Sequence, residues 1–327
     1  MDIRIFNASL TLKSISDTAL TVTASESFSA PGACTLDVPL SDARRFMAGD
    51  VLMIPGIGAF TVGEIREDAA AEIATVKGRG ILSYFEGRQM PEYRRVSGDA
   101  EAVLLGLSTE WGASVLPAPL STVEYGFSEA VDTVIGGGSL LSAMKSVCRT
   151  SGLGMRLAVT DGGFLFAAQS RTAAKLRLSR GGGDLTGGVR VTDGENYKNS
   201  VIVKGYDGRT VTVSAVGLFD DGIDDAAAPL SEIYHNAYKI APSLFPSDEE
   251  YLLALRAEGK RILSEHRGIR SVSIGVSAAA AASLRVGEEC IIEDDLFGIV
   301  GTAFCEEKTL YADETGIRYT ASVRLTR

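Results

Sequence analysis

The stretch Ser27–Arg88 opens SFSAPGACTLDVPL (Ser27–Leu40), passes through AGDVLMIPGIGAFTVGEI (Ala48–Ile65) and closes VKGRGILSYFEGR (Val76–Arg88). Cys34, Leu36 and Val38 alternate with Thr35, Asp37 and Pro39, the period-two signature of a half-buried strand. Gly49-Asp50 turns the chain into the apolar run Val51–Ile54, and Pro55-Gly56 with Gly58 reverses it into Phe60–Ile65. The pattern is that of a small antiparallel barrel or sandwich. It offers no catalytic centre.

Working outward, the 327 residues allow two or three domains or one elaborated β domain, and 45% apolar content supports a sizeable core rather than disorder. No run approaches the ~18 apolar residues of a membrane span, and Met1-Asp2-Ile3-Arg4 lacks the basic start of a signal peptide, so we expect no membrane segment and synthesis in the host cytoplasm. Cys34, Cys148, Cys290 and Cys305 form no Cys-x-x-Cys pair and have only His235 and His266 to join them, which predicts buried reduced thiols and no metal. A net charge of −10 argues against holding nucleic acid by phosphate neutralisation, while a like-charged wall lets DNA pass without sticking.

Strands are expected at Ile3–Ile5, Leu10–Ile15 and Leu20–Ala24, and a short helical segment at Ser41–Ala48 with Ser41 or Asp42 as its cap. From about Val96 the period changes. Val103, Leu104, Leu107 and Trp111 predict an amphipathic helix over Ala100–Trp111. A second helix, Leu140–Thr150, starts at Ser139 and stops at Ser151-Gly152, followed by a hairpin of Met155–Val159 and Phe164–Ala168. Strands resume at Leu176–Leu178, Val189–Thr192, Ser200–Tyr206 and Thr210–Val216. The longest helix begins at Ser247, carries Asp248, Glu249 and Glu250 in its first turn, and runs to His266 with Tyr251, Leu252, Leu255, Ile262 and Leu263 as its buried stripe. Ser271–Val276, Glu289–Glu293, Ile299–Phe304 and Arg318–Leu325 return to strand. The fold class is mainly β with α+β inserts.

The opening stretch has an echo. Gly49-Asp50-Val51-Leu52-Met53-Ile54 leads through Gly58 and Phe60 to Val62-Gly63-Glu64-Ile65. Gly287-Glu288-Glu289-Cys290-Ile291-Ile292 leads through Phe297-Gly298 to Val300-Gly301-Thr302-Ala303-Phe304. Each is followed by an acidic turn and one more strand (Ala74–Gly78; Tyr319–Val323), so two β modules of similar make are expected, one at each end.

SFSAPGACTLDVPL, GDVLMI, GRGILSYFEGR and ENYKNSVIVKG (Glu195–Gly205) together resemble the bacteriophage tail-hub family, the N-terminal module of siphophage tail-tip proteins related to the baseplate hub of contractile tails. The resemblance spans nearly the whole chain. It implies a multi-domain, ring-forming subunit with two tube-like β-barrel or sandwich domains, of which three copies present six similar domains to a sixfold tube. The implied division is 1–95 as the first tube-like domain, 96–170 as an α+β insert, 171–216 as a continuation of the β module, 217–268 as a loop and long-helix insert, and 269–327 as the strands completing the second tube-like domain. The implied partners are a homotrimer of the chain itself, the tail-tube or distal-tail protein ring, and a spike, tip or tape-measure protein. DNA passes without specific binding, and the place is the virion tail tip or baseplate. The chain stops at Arg327, directly after the last strand, which suggests a short hub whose spike is a separate chain.

Tests for chemistry return little. Gly78-Arg79-Gly80 and Gly181-Gly182-Gly183 lack the order of a P-loop or dinucleotide turn, and no cofactor is expected. Asp220–Asp225 lacks the ordered spacing of a calcium loop. Glu110 with Glu124, or Glu249 with Glu265, has nothing to place it in a cleft, and no Gly-x-Ser-x-Gly elbow accompanies His235 or His266. No catalytic residue is assigned. Arg79 and Arg88 are candidate interface residues, suited to bidentate pairing with carboxylates of the same or a neighbouring subunit. The rival readings are a cell-wall-degrading or other carbohydrate-active enzyme and a host receptor-binding tip protein.

Overall fold

Period-two patterning in the N-terminal part builds β1 (Ile3–Phe6), β2 (Leu12–Ser16), β3 (Thr21–Ser27), β4 (Ala33–Pro39), β5 (Val51–Ile54), β6 (Gly58–Asp68) and β7 (Ile73–Gly80), in the order β3-β4-β7-β6-β5-β1-β2. The computed structural model describes residues 1–173, 176–193, 197–216, 218, 229–266 and 269–325. Cys34, Leu36 and Val38 face inward with Ile3, Ile5, Phe60 and Val76 to make the core of this first module. The helical segment is a 3₁₀ helix, Leu40–Arg45, and has no side-chain cap. Asp42 is instead drawn into the structure, where its carboxylate accepts the Thr18 hydroxyl and pairs with Arg45.

The first insert holds β8 (Gln89–Met90), β9 (Arg94–Asp99), α1 (Ala100–Leu107), β10 (Leu120–Val123), β11 (Ala130–Ile135), β12 (Gly138–Ser139), α2 (Leu140–Ser151), β13 (Gly154–Thr160) and β14 (Gly163–Gln169). Ser139 caps α2 as expected, accepting the Ser142 amide at 3.2 Å. α1 is shorter than the sequence pattern suggests and gives way to a π-helical turn at Ser108–Gly112. Ser108 and Thr109 bond back to the Leu105 carbonyl at 2.8 and 3.0 Å, competing with the helical ladder there. The predicted hairpin is β13 and β14, in register from Gly154↔Gln169 to Thr160↔Gly163.

β15 (Arg177–Ser179) and β16 (Leu185–Asp193) lead to a second insert of β17 (Ser200–Gly205), β18 (Thr210–Ser214), β19 (Glu232–Ala237) and α3 (Asp248–Glu265). β17 and β18 do not extend the large sheet; they form their own, ordered β18-β17-β19. Their inner residues Val201 and Val203 are buried against α3 with Tyr251, Ala254 and Leu255. Gly259 allows that approach, since a Cβ there would stand 2.6 Å from Val213. β20 (Ile269–Val276), α4 (Ala278–Ser283), β21 (Glu289–Asp294), β22 (Ile299–Asp313) and β23 (Gly316–Leu325) complete the second module. The chain is mainly β, with 47% strand against 23% helix over several sheets, none of them closed among the described residues. No helix of the described residues is long and apolar enough to cross a membrane.

Candidate assembly site

The Gly-acid half of the echo is repeated bond for bond, whereas in the second half the structure matches Val62 to Cys305, five residues beyond the Val300 that the sequence aligns with it. The Gly49 amide donates to the Val62 carbonyl at 2.8 Å and the Val62 amide to the Asp50 carbonyl at 2.8 Å; Gly287 donates to Cys305 at 2.8 Å and Cys305 to Glu288 at 2.9 Å. The Asp50 carboxylate accepts the Met47 amide at 2.8 Å, and that of Glu288 the Arg285 amide at 2.9 Å. Both turns need a left-handed residue, met by Gly49 (φ +89°) and Gly287 (φ +84°). One residue later each long strand carries a bulge, at Gly63 in β6 and Glu306 in β22. Across one level of the sheet, Ala24, Cys34, Gly78 and Val62 in the first module correspond to Gly188, Ile274, Val323 and Cys305 in the second.

β22 belongs to both modules. Ile299–Phe304 pairs with β21, whereas Glu307–Ala312 pairs with β3 in register Glu307↔Ser27 to Ala312↔Val22. The sequence ends this strand at Phe304; the strand instead bulges at Glu306 and continues to Asp313, helped by the strand formers Thr309 and Tyr311, so the expected acidic turn comes only at Glu314-Thr315. Leu310 is fully buried in the core of the first module. Lys308 is buried too, its Nζ donating to the Leu284 carbonyl at 2.7 Å and the Ala282 carbonyl at 3.2 Å at the end of α4, and lying 4.5 Å from the centre of the Tyr319 ring. Burial pulls the Lys308 ammonium below its usual pKa and pushes the Glu26 carboxyl opposite it above the usual carboxylate range. Phe28 seals the joint edge-on against Phe304, 5.4 Å between ring centres. A groove of about 890 Å³ opens beside this junction, lined by Glu26, Phe60, Arg156, Arg285 and Lys308 among others. Lys308 and Leu310 escape sequence reasoning, because only the length of β22 shows that the strand crosses between modules.

Among the described residues, two of the open strand edges are related to each other by the repeat. Beyond its bulge β6 pairs only with β7, because β5 stops at Val51↔Thr61; β16 pairs only with β20.

Arg79 lies at the end of β7 and makes a bidentate pair with Glu86 of its own chain, at 2.5 and 2.8 Å. Arg88 stacks on Trp111, 4.9 Å from the ring centre. The structure does not bring the two arginines to a shared carboxylate. Glu110 pairs with Arg94 and Glu265 with Arg261. His235 meets Glu258 at 3.0 Å, and the His266 ring nitrogen Nδ1 lies 3.0 Å from the Ile262 carbonyl. Gly181–Gly183 forms the turn between β15 and β16, where the Gly183 amide reaches the Arg180 carbonyl. Asp220–Asp225 lies outside the described residues. Among the described residues no cluster of three metal-ligating side chains occurs. All four cysteines are free and buried, and burial pushes Cys34, Cys148 and Cys305 up to about 12 and Cys290 to about 11.

No family model matches the sequence, and no curated protein matches it. Solved structures do. A tail protein from Neisseria meningitidis MC58 aligns over 100% of this chain and 96% of its own at 13% identity and a TM-score of 0.59. The 43 kDa tail protein of prophage MuSo2 from Shewanella oneidensis aligns over 100% and 98% at 11% identity and a TM-score of 0.60. Prophage tail protein gp18 from Listeria monocytogenes EGD-e aligns over 98% and 94% at 10% identity and a TM-score of 0.56. The fold is therefore that of these tail proteins, from one end of the chain to the other.

Proposed function

We propose that the chain is a structural hub of a phage tail tip or baseplate, or of a phage-derived injection particle. Three copies form a ring, and the two modules of each copy together supply six near-equivalent units to a sixfold tube. The observation that carries this reading is the duplication: two modules sharing turn, bulge and strand order, joined within one chain through β22 and β3. A protein with one job at one site has no use for such a repeat, whereas closed symmetry does. The tail-protein fold supports the same reading. One face would meet the last ring of tail-tube or distal-tail protein and the other a spike, tip or tape-measure end, with DNA passing through during ejection without specific binding. The place of action is the virion tail, after assembly in the host cytoplasm.

On this reading the tube-like modules are formed by β1–β7 and by β15, β16 and β20–β23, and the two inserts decorate them. Arg79 and Arg88 sit on exposed or aromatic-stacked surface from which they reach a neighbouring chain. The role is architectural, not catalytic; both histidines are held in structural contacts. Mass photometry and negative-stain images of the purified chain test the proposal. Three-copy rings with a central hole are expected. An elongated fibre, or clearing of peptidoglycan in a zymogram, would overturn it.

A further inference from the structure

The internal repeat contains a template for the contact between subunits. Within the chain, the far half of the fourth strand of the second module (β22, Glu307–Ala312) pairs with the first strand of the first module (β3). The equivalent far half in the first module is Glu64–Asp68 of β6, and the equivalent first strand of the second module is β16. Among the described residues neither of these edges has a partner on its outer side, unlike its equivalent in the other module. In the covered copy Lys308 and Leu310 are buried; at the matching positions of the bare copy Ile65 is half-buried and Glu67 exposed. An edge strand with open backbone groups is a template for another chain, and here the chain itself displays the partner and its orientation.

We propose that β6 of one copy pairs antiparallel with β16 of the next, continuing the sheet from subunit to subunit. This rests on the ring reading and adds its register. Leu310↔Ala24 and Tyr311↔Thr23 within the chain map onto Glu67 opposite Gly188 and Asp68 opposite Gly187 of the neighbour, and Thr309↔Ser25 maps onto Arg66 opposite Val189. The contact is head-to-tail, so it closes into a ring when the rotation per subunit allows. The occupant is a second copy of this chain because the edges that meet are the two that the repeat leaves without their equivalents.

Cysteine cross-linking of the full chain tests the register. Gly187 accepts the change, because open space surrounds the position where a Cβ would stand, and the native thiols are buried. Asp68→Cys/Gly187→Cys and Arg66→Cys/Val189→Cys should each convert most of the protein to a covalent trimer on a non-reducing gel after mild oxidation. Glu64→Cys/Gly187→Cys, four residues out of register, should not. Mixing Asp68→Cys chains with Gly187→Cys chains should give a covalent heterodimer, which shows that the bond runs between copies. Rings in mass photometry without in-register cross-links, or with equal cross-linking of the out-of-register pair, overturn the strand pairing and leave the ring standing. A chain that stays monomeric at every concentration overturns both. Circular dichroism of each variant separates misfolding from lost contact, and with two in-register pairs a failure of one fold leaves the other as the test.

Discussion

The two β modules share a turn, a bulge and a strand order, yet the far half of their fourth strands meets opposite surroundings. In the second module that half is covered by β3, and Leu310 passes out of its own module into the core of the other. In the first module the equivalent half ends in Glu64, Arg66, Glu67 and Asp68, bare on one side. The difference teaches that covalent continuity, rather than module chemistry, decides which edge is satisfied within the subunit. Charges along an open edge also discourage indiscriminate pairing, so the uncovered copy is protected from it.

The largest expected effect comes from cutting the bridge between modules. Leu310→Ala should cost about 3 kcal/mol, the usual range for a fully buried leucine. Hydrogen exchange should show the loss in β3 and β4 as well as in β22. Loosening confined to β21–β23 would break the picture of a shared strand.

Acid divides the molecule along another line, between modules and the second insert. Burial works to raise the Glu258 carboxyl, but hydrogen bonds from Arg261, at 2.7 and 2.8 Å, and His235 outweigh it and hold the group at about 2, against 4.5 ordinarily. The folded pKa is depressed, so the stabilisation stands in full above about pH 4.5 and drains away as pH falls toward about 2. It amounts to about 3 kcal/mol at most. The β17–β19 sheet with α3 should therefore loosen in acid before the modules do, and Glu258→Gln should flatten that pH dependence. Equal acid sensitivity of the variant and the parent would count against the assignment.

A smaller effect separates the paired turns. Asp50 is buried and also takes Lys13 at 2.5 Å, while its counterpart Glu288 is only half-buried. Asp50→Ala should cost about 2 kcal/mol and Glu288→Ala about 0.5–1 kcal/mol, read from chemical denaturation.

How much of this was legible in the sequence follows from range. Local signals came through: the period-two run at Cys34, Leu36 and Val38, the caps at Ser139 and Ser247, and the Gly-acid turns at Gly49 and Gly287 all depend on residues within a few positions of one another. Strand ends did not, because nothing local carries the strand past Phe304 through Glu306-Glu307-Lys308 until β3 is known to lie beside it. The sheet membership of β17 and β18 was equally hidden, since Val201 and Val203 alternate the same way whether they face a second sheet or α3. Arg79 and Arg88 were legible as exposed arginines, but their companions Glu86 and Trp111 were not.

The finest probe of the repeat is the glycine that opens each turn. Both adopt positive φ, so alanine at either is strained by about 1 kcal/mol from the backbone alone. The surroundings then part them. Around Gly49 nothing lies within 4 Å of the position a Cβ would take, whereas at Gly287 that position falls 2.8 Å from the Phe28 ring. Phe28 cannot yield easily, because it is buried and packed edge-on to Phe304 at the joint between modules. Gly49→Ala should therefore show the backbone cost and little else, while Gly287→Ala should add about 1 kcal/mol more and disturb the Phe28–Phe304 contact. Thermal denaturation of the two variants, with a Phe28→Leu background to remove the clash, separates the contributions. If the background brings Gly287→Ala back to the level of Gly49→Ala, the two turns are the same device and differ only in what the second has been built against.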